Sequence, residues 1–488
     1  MSARLRIGDR ERTATAERLS VDVSHAAPAV ASRSIAIPFA AIVLAMLPAV
    51  LDQTILATAL PTIAGDLGRL TDVSWVVTAY VVAAAATTPL WGKLGDRYGR
   101  KRLLEISLAT FLVGSALCGI AQSITMLVVS RALQGIAAGG LMTLAMASVG
   151  DLVEPRERGR YQGYITSTFA VATVAGPLIG GLLVEHVSWR WVFYVNLPLG
   201  VAALVGLRTR LPEGETERPA HGLDVLGAVL LAGATCALLL ACIWGGERYA
   251  WDSATIVGLF AATAALAVGL VVRERRAADP IVPLDLLRTR VVAVASAAFF
   301  FVTATLFAIT VFVPLFLQVT TGATPTQAGL LLVPMMIGIT LSTNLAGRAV
   351  SRTGRLKRFP VAGLSLMTGA LVLLAIVVGD PAQVTTSIGL AVFGLGFGMT
   401  GQMLTVAVQN GVDRRRLGVA MGTTTFLRGL GGAIGAAALG AIFAARVGTG
   451  PADRADVIDA VQTVFLVAAP LAAIALLIVL ALPETTNE

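Results

Sequence analysis

Charged residues are scarce in this chain of 488 amino acids: Asp, Glu, Lys and Arg make up 14% of it, and 56% of the residues are hydrophobic. Soluble domains carry about 25% charged residues, so the composition excludes a large soluble protein. The hydrophobic residues fall into fourteen blocks of roughly 18–25 residues, the length that an α-helix needs to cross a bilayer. Because a helix satisfies its own backbone hydrogen bonds in lipid, these blocks predict an all-α polytopic membrane protein.

Residues that carry out chemistry are also few. The three cysteines, Cys118, Cys236 and Cys242, all fall in predicted spans, and the three histidines are scattered, so neither a disulfide framework nor a metal site is predicted. The pattern GxxxxGK[ST] of a nucleotide-binding loop does not occur in the sequence. We therefore predict that the protein is not an enzyme, needs no cofactor and draws its energy from an ion gradient or from the gradient of its substrate.

Positive charge is nearly missing from one face of the predicted bundle. If residue 1 lies in the cytoplasm, 30 of the 37 Lys and Arg residues fall in cytoplasmic segments and five on the opposite face. This asymmetry follows the positive-inside rule and predicts that both termini are cytoplasmic. A basic surface that faces anionic lipid explains the net charge of +8 without a nucleic-acid partner. The excess of Arg over Lys, 34 to 3, indicates a GC-rich bacterial genome and hence a bacterial inner-membrane protein.

The two ends of the chain resemble each other. GKLGDRYGRKRLL (92–104) and GRAVSRTGRLKRF (347–359) align at four Gly and Arg positions that are 255 residues apart. GxxxG pairs, whose spacing lets two helix backbones approach closely, also recur in corresponding spans: Gly135 and Gly139 with Gly394 and Gly398, and Gly176 and Gly180 with Gly431 and Gly435. The repeat predicts a six-helix bundle at 36–210 and a second one, with a short tail, at 291–488.

Two segments lie outside this repeat. Residues 211–290 are predicted to be a loop followed by a two-helix insert. Residues 1–35 contain six Arg, four acids and no apolar core, which predicts a mobile cytoplasmic tail rather than a signal peptide.

The first copy of the repeated loop contains one acid, Asp96, among five cations. Asp96 is able to anchor Arg97, Arg100 or the end of a neighbouring helix, and such an ion-pair latch would favour one conformation of the bundle over another. Ordinary positive-inside charge between two helices is the alternative interpretation. The second copy has Ser351 in place of Asp96, so any latch there is predicted to be weaker.

Asp52 lies 16 residues into the first predicted span, about 24 Å along a helix axis. Ionising an unpaired carboxylate at that depth is costly. We predict that Asp52 alternately holds a proton and a cationic substrate; a permanent ion pair with Arg131 is the alternative. Arg131, near the start of its span, alternatively snorkels to the outer face. Arg428, a third of the way into its span, is able to pair with a carboxylate, bind anionic lipid or tune the proton affinity of Asp52.

Several motifs resemble those of the major facilitator superfamily. The first loop is similar to the signature GxLaDrxGrkxxl at Gly92, Leu94, Asp96, Arg97, Gly99, Arg100 and Lys101. SRALQGIAAGG (130–140) resembles the helix-4 signature, and AGPLIGG (175–181) resembles the antiporter signature through Gly176, Pro177, Gly180 and Gly181. LDQTILATALP (51–61) and WRWVFYVNLPLG (189–200) resemble the marks of the fourteen-helix drug:proton antiporter branch, the EmrB/QacA-like group.

The resemblance implies the major facilitator fold: fourteen transmembrane helices, with two six-helix bundles, a two-helix insert and a substrate site between the bundles. It implies proton-coupled antiport that exports hydrophobic, cationic drugs or toxic compounds, with Arg131 inside the bundle. We predict that Asp52, Arg131 and Arg428 serve proton coupling and substrate binding. Phenylalanines between 299 and 316 suit planar cations, or they face lipid or pack in the core.

The expected partners are a drug-like small molecule, protons and membrane lipid, and the expected state is a monomer. Two other functions share these features. One is a dedicated exporter of a single metabolite or self-made antibiotic, and the other is a non-transporting membrane sensor or scaffold.

Overall fold

A computed structural model describes residues 35–67, 70–213, 222–246, 248–321, 330–378, 383–447 and 454–484. Residues 1–34 of the predicted tail lie outside these ranges. The chain from Ile37 onward forms one compact unit. Within the described ranges, the long helices are α1 Ala36–Leu67, α2 Leu70–Tyr98, α3 Arg100–Gly119, α4 Ile124–Leu152, α5 Arg158–His186, α6 Asn196–Arg210, α7 Val225–Trp244, α8 Ala254–Glu274, α9 Arg290–Thr321, α10 Val333–Thr353, α11 Arg358–Val377, α12 Gln383–Gly411, α13 Leu417–Val447 and α14 Arg454–Leu480.

Thirteen helices among the described residues are long and apolar enough to cross a membrane. The exception is α10, which has 21 residues but carries hydroxyl and amide side chains, from Thr340 to Asn344, through its middle. The span predicted at 327–347 also begins in residues outside the described ranges. The span predicted at 190–207 corresponds to the segment Trp191–Arg210, in which the turn Trp191–Tyr194 leads through Val195 into α6.

The duplicated glycines pack against duplicated helices. Gly135 and Gly139 of α4 lie against the backbone of α2, and Gly394 and Gly398 of α12 lie against α10 in the same way. The second set behaves likewise: Gly176 and Gly180 of α5 lie against α1, and Gly431 and Gly435 of α13 lie against α9. Since α1 and α2 correspond to α9 and α10 in the sequence repeat, the same contacts are made twice.

The two bundles meet along α2 with α13 and along α5 with α10. Backbones touch there: a Cβ on Gly92 would lie 2.3 Å from the carbonyl oxygen of Gly418, and a Cβ on Gly159 would lie 3.0 Å from the Cα of Gly347. All four glycines lie near the helix ends that carry the loops 92–104 and 347–359, which we call the basic-loop end. The halves are therefore closed against each other at the basic-loop end.

The two-helix insert lies beside this seam. Helix α7 packs against both α2 and α13, and α8 packs against α7. Side chains of α8 are mostly exposed. Because α7 touches one helix from each bundle, the insert borders the place where the bundles meet.

Candidate functional site

Asp52 and Arg131 meet in the interior of the first bundle. Asp52, in the middle of α1, is fully buried, and Arg131 on α4 is 1% exposed. Arg131 Nη1 donates to Asp52 Oδ2 over 2.5 Å, and Nε donates to the carbonyl oxygen of Val76 over 3.2 Å. The guanidinium carbon lies 4.2 Å from the centroid of the Tyr80 ring. Arg131 is therefore an interior residue, and the snorkelling alternative is wrong, because every side of its guanidinium faces protein.

Two amides complete the contacts of the Asp52 carboxylate. Gln134 Nε2 donates to Asp52 Oδ1 over 2.9 Å, and Asn196 Nδ2 donates to the same oxygen over 3.2 Å. Asn196 Nδ2 also lies 3.1 Å from the Ser115 hydroxyl oxygen. Together with Arg131, these amides give both carboxylate oxygens hydrogen-bond donors.

Asn196 was not among the predicted site residues. Asn196 is the first residue of α6, which follows the turn Trp191–Tyr194. The sequence marks Asn196 only as one amide inside an apolar stretch. Its contact with Asp52 forms only when the helices fold together.

This cluster holds a compensated pair of charges in the protein interior. As an ion pair, Asp52 and Arg131 cancel each other's charge, which is the condition under which charges are tolerated in a protein interior. Loss of either charge would leave the other without its counter-ion, and an uncompensated buried charge is strongly unfavourable. The two side chains therefore depend on each other for their burial.

Arg428 stands apart from this pair. It lies 11 residues after the start of α13, about 17 Å along the helix. Its guanidinium carbon is 5.4 Å from the centroid of the Phe299 ring, and it makes no hydrogen bond or ion pair with any residue that the structure describes. Arg428 is thus not a partner of Asp52. The structure brings together two of the three predicted interior residues and leaves the third alone.

A cavity of about 1150 Å³ lies between α2, α7, α9 and α13. Thr303 and Phe307 of α9 line it, together with Gly432 and neighbouring Gly and Ala residues of α13, and Trp251 closes one side. Of the phenylalanines predicted to suit planar cations, Phe299, Phe312 and Phe316 are instead buried in the core. Of these phenylalanines, Phe307 lines the cavity.

Asp96 joins the two bundles at the basic-loop end. It accepts hydrogen bonds from Arg100 Nη2 over 2.7 Å and from the backbone N–H groups of Gly418 and Val419, each over 2.8 Å. These two groups begin α13, where the first N–H groups of a helix lack partners and the helix dipole attracts negative charge. Of the anchors predicted for Asp96, the structure shows Arg100 and the neighbouring helix end.

Arg97 instead pairs with the linker that follows the insert. Its Nη1 donates to Asp279 Oδ2 over 2.8 Å, and Lys93 pairs with the same carboxylate. Further along this linker, Asp285 accepts a hydrogen bond of 2.7 Å from Arg416, between α12 and α13. That hydrogen bond lowers the pKa of Asp285 below its ordinary value. The linker from α8 to α9 therefore carries ion pairs to both bundles.

The other predicted latch residues shape this end of the molecule. Gly99 precedes α3 with φ of 93°, a conformation that favours glycine. Lys101 Nζ donates to the carbonyl oxygen of Arg208 over 3.2 Å. Gly92 permits the backbone contact with Gly418 described above.

Arg158 forms a second bridge between the bundles and was not predicted. It is 2% exposed, and its Nη1 donates to the carbonyl oxygen of Gln409 over 2.5 Å and to Asn410 Oδ1 over 2.6 Å. In the sequence Arg158 is one of three arginines in EPRERGR, and spacing gives no reason to prefer it to its neighbours.

The antiporter motif divides into two parts. A Cβ on Gly176 would lie 2.0 Å from Thr54 Oγ1, and one on Gly180 would lie 2.3 Å from Thr58 Oγ1. These glycines hold α5 against α1, immediately beyond Asp52. A Cβ on Gly181 would meet nothing within 4 Å, and Pro177 is exposed. Only half of the motif packs on the helix that carries the acid.

The sequence model of the Major Facilitator Superfamily matches residues 42–436. The chain belongs to the major facilitator superfamily. With its many apolar helices, it is a multi-pass membrane protein of the all-helical fold of that superfamily. The solved structure of the human organic anion transporter MFSD10 has a TM-score of 0.67 to this chain at 16% identity and covers 91% of this chain and 99% of that one.

Relatives in bacteria share more of the sequence. An MFS-type transporter of Mycobacterium tuberculosis is 43% identical over 406 residues, which are 83% of this chain and 59% of that protein. This superfamily member thus spans only about three fifths of that relative's length. The multidrug transporter protein MdtP of Bacillus subtilis is 35% identical over 407 residues, 83% of this chain and 75% of that protein.

Proposed function

We propose that this protein is a proton-coupled secondary transporter that exports hydrophobic compounds by antiport. The observation that carries the proposal is the buried Asp52–Arg131 pair, with Gln134 and Asn196 on the carboxylate. The name of the Bacillus relative, a multidrug transporter, supports several substrates rather than a single metabolite. We assign the chain to the fourteen-helix drug:proton antiporter branch, with α10 as the helix that completes the count.

In this proposal the proton binds Asp52 and breaks the pair. Arg131 then loses its counter-ion, and α1 and α4 rearrange to restore a partner for its charge. One proton moving down one pH unit supplies about 1.4 kcal/mol, and the membrane potential adds about 2.3 kcal/mol per charge per 100 mV. These amounts are enough to sustain a substrate gradient of tenfold or more, so no cofactor is needed.

Alternation of access follows from the contacts at the basic-loop end. With both termini in the cytoplasm of a bacterial inner membrane, that end is cytoplasmic, and the present closure corresponds to a state that opens outward. Asp96 and Arg100 hold α2 against the start of α13, Arg97 holds the linker, and Gly92, Gly99 and Lys101 shape the contact. Loading of the substrate from the cytoplasm requires these contacts to separate.

The antiporter motif is proposed to guide the movement of α1. Gly176 and Gly180 give α5 a smooth surface along Thr54 and Thr58, next to the coupling acid. Pro177 and Gly181 would make α5 able to bend, because proline removes a backbone donor. We further propose that the transporter acts as a monomer that contacts only lipid, protons and its substrate.

The test is dye movement in inside-out vesicles with an imposed pH gradient. We expect ethidium or an anionic dye to move with the gradient in the wild type, and Asp52→Asn to abolish that movement. Asp459→Asn is the matched control, because Asp459 is an exposed acid near the start of α14. Failure of every dye to respond to the gradient in the wild type would refute the proposal, as would full coupling in Asp52→Asn.

A further inference from the structure

We propose that the cavity between α2, α7, α9 and α13 binds an amphipathic organic anion, whose acid group pairs with Arg428. Its apolar part would lie against α9 and α13. This inference rests on the proposed export function. It replaces the cationic substrate that the sequence predicted from Asp52 by a substrate of opposite charge.

The charges of the described membrane interior support an anion. Asp52 and Arg131 cancel each other, and the carboxylate already accepts hydrogen bonds from three side chains. The other acids of the described helices all lie within about two turns of a helix end. Arg428 is left as one net positive charge that no described acid balances. Arg428 is half-buried, and an anionic ligand can offset the cost of withdrawing its charge from water.

The position of Arg428 fits a ligand with one charged end. On α13 it stands four residues before Gly432, and on α9 Phe299 stands four residues before Thr303. Gly432 and Thr303 line the cavity and touch each other, since a Cβ on Gly432 would lie 3.2 Å from Thr303 Cγ2. The Arg428–Phe299 contact therefore lies one helical turn, about 6 Å, from the cavity wall.

The cavity itself suits an apolar body. Its lining residues are aliphatic, aromatic, small or hydroxylic, and none of them is charged. Its volume of about 1150 Å³ exceeds that of many drug-sized sites. An amphipathic acid would place its apolar part beside Phe307 and Ala436 and reach Arg428 with its head group.

Binding of a matched pair of probes tests the charge preference. Dansyl-6-aminohexanoate and dansylcadaverine share the fluorophore and a five-methylene chain, and they end in a carboxylate and an ammonium group, respectively. Dansyl fluorescence is titrated with the purified protein in phosphatidylcholine nanodiscs. We expect the wild type to bind the carboxylate at least tenfold more tightly than the amine. Equal binding, or preference for the amine, would overturn the inference without any variant.

Variants then locate the charge. Arg428→Gln should weaken binding of the carboxylate probe by about 10- to 100-fold, the range of a charge-assisted hydrogen bond, and leave binding of the amine probe unchanged. Arg428→Lys should keep part of the preference for the carboxylate over the amine. Arg446→Gln, at an exposed arginine of the same helix, is the matched control and should have no effect. Ala436→Trp, which fills the cavity, should weaken both probes. Unaltered carboxylate binding in Arg428→Gln would contradict the assignment.

An acidic phospholipid offers the same chemistry and is distinguished by lipid composition. If a lipid head group binds Arg428, added phosphatidylglycerol will weaken binding of the carboxylate probe to the wild type but not to Arg428→Gln. That result would contradict the assignment of an anionic substrate to this site. We expect no such competition. Because these titrations need no proton gradient, their failure is separate from a failure of coupled transport.

The transported charge provides an independent readout. Exchange of one entering proton for one leaving monovalent anion moves two charges in the same direction, whereas exchange for a monovalent cation moves none. In proteoliposomes we expect a potassium diffusion potential, without a pH gradient, to drive dansyl-6-aminohexanoate transport in the wild type. Transport of this probe that ignores the potential would contradict the inference.

Discussion

The two bundles share their helix packing but differ in how they treat charge. In the first bundle, Asp52 and Arg131 form a buried pair held by amides. In the second, Arg428 rests on the ring of Phe299 with no polar partner among the described residues. Paired glycines keep the helix contacts alike in both, because a side chain there would overlap a neighbouring helix. The two bundles are therefore alike in helix packing and differ in their interior charges, a pair in the first and a single cation in the second.

The same difference is found at the basic-loop end. Asp96 of the first loop accepts hydrogen bonds from the N-terminus of α13. Ser351, at the equivalent position of the second loop, donates its hydroxyl to the backbone carbonyl oxygen of Arg348 in its own helix over 2.9 Å. The second seam combines the contact between Gly159 and Gly347 with a hydrogen bond of 2.9 Å from Asn344 Nδ2 to the Ser167 hydroxyl. Both seams contain a close contact of backbones, and the first adds a carboxylate at a helix N-terminus.

The largest difference between the bundles should appear when an interior arginine is removed. Arg131→Gln leaves Asp52 buried without its cation, and breaking such a pair costs about 3–5 kcal/mol. Arg428→Gln removes a charge without a described partner and should cost less than about 1 kcal/mol. Thermal unfolding in mild detergent measures both. The double variant Asp52→Asn/Arg131→Gln should recover part of the loss, and equal costs for the two arginines would break the comparison.

Equivalent glycines should differ in what they tolerate. A Cβ on Gly431 would lie 2.1–2.6 Å from three backbone atoms of Phe300, whereas the one on Gly176 would lie 2.0 Å from Oγ1 and 2.7 Å from Cβ of the Thr54 side chain. We expect Gly431→Ala to destabilise by about 1–3 kcal/mol, as overpacking does, and Gly176→Ala to cost less. The free energy of unfolding tests this. Gly440→Ala is the control in the same helix, since a Cβ there would meet nothing within 4 Å.

The two seams should respond differently to loss of a polar group. Asp96→Asn keeps the shape of the side chain but removes its charge at the start of α13. We expect the free energy that stabilises the closed contact to fall by about 1–2 kcal/mol. Hydrogen exchange of the amides of residues 417–422 should become correspondingly faster. Ser351→Ala should change the free energy of local opening near residue 351, measured by the same exchange, by no more than about 0.5 kcal/mol. Unchanged exchange in Asp96→Asn would show that the seam does not depend on this carboxylate.

The smallest effect is expected at the exposed pair of Asp285 and Arg416. Because Arg416 lowers the pKa of Asp285 in the folded protein, the pair stabilises above the ordinary aspartate pKa, and this stability is lost as the pH falls through the lowered value. Both side chains are exposed, so Asp285→Asn should cost no more than about 0.5 kcal/mol at pH 7. Unfolding at pH 7 and at pH 3 should show the variant and wild type converging in acid. A gap that widens in acid would contradict this sign.

Much of the architecture could be predicted from local pattern. The length of the apolar blocks predicts the helices. The family match to residues 42–436 confirms the predicted superfamily. The repeated glycines predicted close helix contacts, although not which helices they touch. The assignment of α10 was harder, because the polar residues in the middle of this helix lower its hydropathy.

Site residues were predictable only where they are chemically unusual. Asp52 is conspicuous because an acid is rare in such a stretch, and the same holds for Arg131 and Arg428. Asn196 and Arg158 were missed, since amides and loop arginines are common and nothing local marks them. The pairing of Arg97 with Asp279 was missed as well, because a sequence separation of 182 residues carries no signal of contact.

The sequence by itself determined that this is a helical membrane protein with duplicated packing, because hydropathy, charge asymmetry and glycine spacing act within single helices. Only the tertiary structure decided which charges meet. It joined Asp52 to Arg131, gave Asp96 the N-terminus of α13 and left Arg428 beside an apolar cavity. Those outcomes depend on where whole helices lie relative to one another, and electrostatic energy is set by separations of a few ångströms that no local pattern encodes.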